Sequence, residues 1–158
     1  MDEPQHPPPG HVAAAKDGDL LDQASLPLLG LSATTLLAIF VGGAVGTVCR
    51  YLLDAHTHIP AGGLPWLTLT INLTGSLAIG LVIPLTEHVG PRAPWLRPLV
   101  VVGFLGGWTT YSTLAVDGVL LAKGGAVATC AAYLAATVVG GLLLVVAGHA
   151  VGRRLVVA

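Results

Sequence analysis

The residues Gly103-Phe104-Leu105-Gly106-Gly107-Trp108-Thr109-Thr110-Tyr111-Ser112-Thr113 decide how this chain is read. They sit inside an apolar run from Leu99 to Leu121, yet they hold three glycines followed by a cluster of hydroxyl side chains. In hydrocarbon every backbone polar group needs a partner within the protein, so Gly-Gly followed by Thr-Thr is a poor recipe for an uninterrupted spanning helix. Irregular backbone at membrane depth is tolerated where it lines a cavity or is buried against protein. A discontinuous helix frees carbonyls for a cation and amides for an anion. The stretch therefore reads as an ion site on a broken transmembrane helix. Close helix packing through small residues, with Ser and Thr bonded back to their own helix, is the alternative.

Composition sets the class. Of 158 residues, 54% are hydrophobic and 9% charged, and the mean hydropathy is +0.81. Soluble domains carry about 25% charged residues, so this is a membrane protein. A net charge of −1 gives no footing for nucleic-acid binding. Cys49 and Cys130 both lie in apolar runs without metal-type spacing and read as small buried hydrophobes.

Outward from the central stretch, hydropathy gives four spans of bilayer length: Leu31 to Leu53, Leu64 to Leu85, Trp95 to Ala122 and Gly125 to Val151. Short connections make neighbouring spans antiparallel, which predicts an all-α, four-helix membrane bundle over residues 31–154. Trp66 and Trp95 fall at span ends, where indoles favour the interface. Residues 1–30 are proline-rich and acidic and predict a disordered tail, without the basic start and apolar centre of a signal peptide. Lys16, Arg92, Arg97, Arg153 and Arg154 collect on one side, with Lys123 and Arg50 on the other, which points to cytoplasmic termini. Four helices enclose little space, so association is expected, and Gly42-xxx-Gly46, Gly75 and Ala136-xxx-Gly140 supply small-residue contacts.

Polar groups within the spans carry the chemistry, because each is costly unless paired or functional. Asn72 stands amid Thr68, Thr70, Thr74 and Ser76, and Thr68, Asn72 and Ser76 share one helix face. Its amide offers two N–H donors, which suit a dehydrated anion, or an interhelical hydrogen bond. Arg50, four residues before Asp54, can snorkel, pair with that carboxylate, or raise the potential at an anion vestibule. Tyr133 and Thr137 share a face of the fourth span and extend a hydroxyl track. No Asp or Glu is expected in the middle of a span, which disfavours a proton-coupled carboxylate carrier. His56-x-His58, His88 and His149 are too scattered for a zinc site, and no nucleophile–base pair or nucleotide loop points to an enzyme.

Three motifs, in order and each on its own span, resemble the Fluc (CrcB) family of fluoride ion channels. Gly-Ala-Val-Gly-Thr-Val-Cys-Arg-Tyr (43–51) is similar to the first-helix G-x-x-x-R-Y signature, and Thr70-Ile71-Asn72-Leu73-Thr74-Gly75-Ser76 to V-N-x-x-G-S. The central stretch resembles G-F-x-G-G-x-T-T-F-S-T-F. The resemblance implies an antiparallel, dual-topology homodimer in the cell membrane with two narrow fluoride pores. It also implies a structural Na⁺ at the dimer centre, held by backbone carbonyls of Gly106 and Thr109 from both copies. On the pore side it implies Asn72, Tyr111, Ser112, Thr113, Leu114, Tyr133 and Thr137, with Arg50 near the vestibule. Tyr111 and Leu114 replace the two phenylalanines of that motif; leucine has no aromatic edge to offer an anion.

The expected function is passive, selective export of cytoplasmic fluoride, which confers fluoride resistance. Leu114 and the uneven loop charge suggest a variant, one subunit of a heterodimeric channel with a homologous chain and one degenerate pore. The rivals are a small dual-topology drug or cation exporter and a non-transporting assembly protein.

Overall fold

A computed structural model of the chain describes residues 32–55 and 63–157. The expected tail over residues 1–30 and the His56-x-His58 loop lie outside the described residues. Among the described residues, four helical stretches are long and apolar enough to cross a bilayer: Ala33–Asp54, Trp66–Val89, Pro98–Lys123 and Val127–Val157. The first two are α1 (Ala33–Asp54) and α2 (Trp66–Val89), and the last is α6 (Val127–Val157). The third comprises π-helical α3 (Pro98–Leu105), the single turn α4 (Gly106–Trp108) and α5 (Tyr111–Lys123).

The all-helical, four-span reading holds, with corrected ends. Helix α2 runs to Val89 rather than Leu85, and α6 to Val157 rather than Val151. Hydropathy stops at the first charged residues, whereas backbone hydrogen bonding continues through them. Basic side chains near a helix C-terminus, Arg153 and Arg154 in α6 and His88 in α2, also suit its negative end.

Close backbone approach pairs the helices. Helix α1 packs on α3 and α4, α2 on α6, and α5 leans on α6. A Cβ on Gly42 would strike the Leu99 carbonyl, and one on Gly46 the Phe104 carbonyl, so the Gly42-xxx-Gly46 pair does seat α1 against the third span. In α6 the expected Ala136-xxx-Gly140 pair is not the tight contact. Ala136 is exposed, while Gly148 and Gly152 press on the Leu77 and Leu81 carbonyls, and Gly80 of α2 presses on the Val145 carbonyl. Between α5 and α6 the chain turns at Gly125, whose φ of 80° favours glycine, and Ala126 N–H bonds back to the Leu121 carbonyl at 2.9 Å.

Burial is inverted relative to a soluble protein. Phe40, Val138, Leu142 and Val146 face outward, whereas Thr68, Asn72, Thr110 and Thr137 are buried. One expectation is overturned here. Helix α5 carries an acid at its central position, Asp117, so the third span does contain a carboxylate. Valine and glycine on either side masked it within an apolar window.

Replacing Gly148 by Val should disrupt the α2–α6 seam, because the new side chain meets backbone rather than a flexible neighbour. We expect a cost of at least about 1–3 kcal/mol, read as a lowered Tm or loss of monodisperse protein in detergent. Gly118→Ala meets only ordinary contacts, the nearest 3.5 Å away at Leu134, and should leave the melt at or above wild type.

Candidate functional site

The third span changes conformation at its centre. Thr109 has φ −71° and ψ 159°, and Thr110 has φ −145° and ψ 125°, both extended. The Thr109 N–H still bonds the Leu105 carbonyl at 3.0 Å, but the Thr110 N–H leaves the helical ladder, and at membrane depth it needs another partner. Asn72 of α2 supplies one. Its Oδ1 accepts from the Thr110 N–H at 2.9 Å, and its Nδ2 donates to the Thr110 carbonyl at 3.0 Å. The pair fixes which way the amide faces, because only the oxygen can accept from an N–H. It also leaves the second Nδ2 hydrogen for another acceptor.

Thr110 then starts α5. Its Oγ1 accepts from the Thr113 N–H at 3.1 Å, a side-chain N-cap, and also contacts the hydroxyls of Thr113 at 3.0 Å and Ser112 at 3.2 Å. On the opposite flank Arg50 Nε donates to the Gly107 carbonyl at 3.2 Å, satisfying an acceptor at the end of α4. Arg50 forms no ion pair with Asp54. Gly75 leaves room on α2 for Thr109 Cγ2 and for Trp108, whose ring stacks on Phe104 with centroids 6.3 Å apart.

Beside this segment lies a cavity of about 270 Å³. It brings together Asn72, Tyr111, Leu114 and Thr137 from the expected pore set, with Ser76, Thr109 and Thr110. Leu114 is buried, and Tyr111, 82% exposed, stands at the outer edge of the chain. Ser112, Thr113 and Tyr133 are not in this lining. The first two are engaged with Thr110, and Tyr133, fully buried, lies apart. Of the expected cation carbonyls, Gly106 is exposed with open space around its Cβ position, and Thr109 is partly buried.

Tyr133 belongs to a second polar cluster. Its hydroxyl donates to Asp117 Oδ2 at 3.1 Å, and Thr68 Oγ1 donates to the same oxygen at 2.9 Å, joining α2, α5 and α6 through one carboxylate. The sequence reading missed Asp117 and gave Thr110 no role. The signals were present: Asp117 is seven residues after Thr110, and Thr110-x-x-Thr113 has capping spacing.

Residues 37–149 match the family model described as CrcB-like protein, Camphor Resistance (CrcB). The chain belongs to this family. Among similar proteins, one from Rhodospirillum centenum, named fluoride-specific ion channel FluC, is 44% identical over 111 residues, spanning 68% of this chain and 88% of the relative. Another, fluoride-specific ion channel FluC 2 of Nocardia farcinica, is 40% identical over 123 residues, 78% of this chain and 88% of the relative. A FluC of Paracoccus denitrificans is 39% identical over 121 residues, 77% and 96%. With four helices of spanning length, this CrcB-family chain is a multi-pass plasma-membrane protein.

The Asp117 cluster yields a stability test. Asp117→Leu would strand two hydroxyls, those of Thr68 and Tyr133, at about 1–3 kcal/mol for each group left unpaired. Asp117→Asn keeps an acceptor oxygen and should melt nearer to wild type. Thermal unfolding in detergent reads the order wild type, Asn, Leu.

Proposed function

We propose that this chain is a fluoride-selective ion channel that lets cytoplasmic fluoride leave the cell passively, giving fluoride resistance. The observation that carries the reading is the cavity beside Thr110, where a buried amide and hydroxyls of Asn72, Ser76 and Thr137 converge in a CrcB-family chain. Supporting it, the relatives at 39–44% identity are named fluoride-specific ion channels. Fluoride is small and strongly hydrated, so a selective path must replace its water with hard N–H and O–H donors. Asn72 keeps one N–H beyond its bond to Thr110, and Ser76 adds a hydroxyl; the Thr137 hydroxyl donates to the Tyr133 carbonyl at 2.8 Å and would have to turn from it to meet an anion. Ser112 and Thr113 would extend the hydroxyl path, with Arg50 favouring anions at the vestibule, whereas Tyr133 gives its hydrogen to Asp117 and would join only by leaving it. Channels need no catalytic step, and none is assigned.

One chain offers only part of a wall. An antiparallel dimer would complete it, with a second copy or a homologous chain across the exposed faces of Tyr111 and Gly106. The carbonyls of Gly106 and Thr109 fit a structural Na⁺ there. Thr110 directs its N–H to Asn72 instead of back to Gly106, and a hard cation takes neutral oxygens readily. Bound Na⁺ would supply an electrostatic link between the two protomers. Leu114 lining the cavity in place of an aromatic keeps the heterodimer reading in view, with one pore less able to hold an anion edge-on.

Asp117 gives the proton-coupled exporter a carboxylate it otherwise lacked, so the test must separate the two. Liposomes holding the purified chain should release fluoride down its gradient, detected with a fluoride electrode, without chloride release and without obligatory proton exchange. Asn72→Ser should slow release at least tenfold. Silence from folded protein that a homologous chain rescues would favour the heterodimer; obligatory proton exchange would overturn the channel reading.

A further inference from the structure

A second cavity, of about 440 Å³, lies between the C-terminal ends of α2 and α6, away from the segment at Thr109 and Thr110. Its polar walls are Glu87, His88, His149 and Arg153, and its apolar walls are Pro84, Val156 and Val157. The geometry points to a binding site for a phosphate group, here the headgroup phosphate of an anionic phospholipid.

Charge comes first. Glu87 is the one acid in the lining, and its Oε1 lies 3.5 Å from the Arg97 guanidinium, so its charge is already matched. Among the described residues no carboxylate pairs with Arg153. The cavity therefore presents one unpaired guanidinium and two imidazoles, with Arg154 adjacent in sequence on the same helix end. Guanidinium groups bind phosphate oxygens through paired N–H donors, and imidazoles add single donors. A metal ion fits less well, because no group of three or more His, Cys, Asp or Glu converges among the described residues.

Shape and position agree. Pro84 is buried at the inner wall, and Gly152 lets the two helices close just beneath the cavity, against Leu81 and Pro84. The walls are therefore held by backbone contact and do not depend on long side chains. The site sits where two spanning helices end, the level of lipid headgroups, and Val156 and Val157 offer apolar surface for the adjoining glycerol and acyl region. Basic pockets between spanning helices at this level are suited to anionic headgroups.

Native mass spectrometry of the detergent-purified full chain, titrated with phosphatidylglycerol or phosphatidylcholine, tests this without reference to fluoride. The anionic lipid should be retained preferentially, and Arg153→Gln should weaken its retention about fivefold. His149→Gln should weaken it as well, whereas Lys123→Gln, an equal loss of charge at the opposite end of the bundle, should not. All three positions are at least partly exposed, and an unchanged thermal melt verifies that the variants fold. Displacement by millimolar inorganic phosphate would assign the same site to soluble phosphate; resistance to it would assign the lipid. Equal retention of the two lipids, or retention unchanged in the Arg153→Gln, His149→Gln double variant, would overturn the proposal.

Discussion

Two hydrogen bonds between the Asn72 side chain and the Thr110 backbone hold the centre of this protein together. At membrane depth an extended residue pair has no water to turn to, and each backbone group left bare costs several kcal/mol. An asparagine is the economical answer, because a primary amide presents one acceptor and two donors in a plane, matching a peptide edge. The Thr110 N–H goes to the amide oxygen and its carbonyl to the amide nitrogen. Everything around the segment follows from that exchange. Thr110 is free to cap α5, the Gly106 carbonyl gives up its helical donor, and a cavity opens between α2, the extended residues and α6.

The surrounding helices are placed so that this exchange can happen. Glycines at 42 and 46 draw α1 against the π-helical α3, and Gly75 lets Thr109 and Trp108 lie close on α2. Glycines at 80, 148 and 152 bring α2 and α6 into backbone contact. Without a hydrophobic driving force between helices in lipid, such close packing and interhelical hydrogen bonds carry association. The buried polar residues then serve two ends. Thr68, Asp117 and Tyr133 tie α2, α5 and α6 by side chains, while Asn72 ties α2 to the third span by backbone.

Much of this was legible in the residues. Four apolar runs gave four helices, and Gly-Gly before Thr-Thr singled out the segment that departs from helix. Asn72 stood out as a costly amide in an apolar window. What escaped was the identity of its partner, since pairing across 38 residues is a tertiary fact. Asp117 escaped for the opposite reason: averaged with valine and leucine neighbours, one carboxylate barely lowers hydropathy. Ala136-xxx-Gly140 held only in part, because Gly140 abuts Leu73 of α2 while Ala136 is exposed, and spacing identifies a face without saying which of its residues meets a neighbour. Span ends were short because charge marks the edge of hydrocarbon and not the end of a helix.

The most direct test of this account is solid-state NMR of the full chain in lipid bilayers, reading the carbon shifts of Thr109 and Thr110 in wild type and Asn72→Leu. The account predicts extended-backbone shifts at both threonines in wild type, with a Thr110 amide in contact with the Asn72 side chain, and loss of that pattern in the variant. Helical shifts at Thr109 and Thr110 in wild type, or extended shifts that persist unchanged in Asn72→Leu, would contradict it.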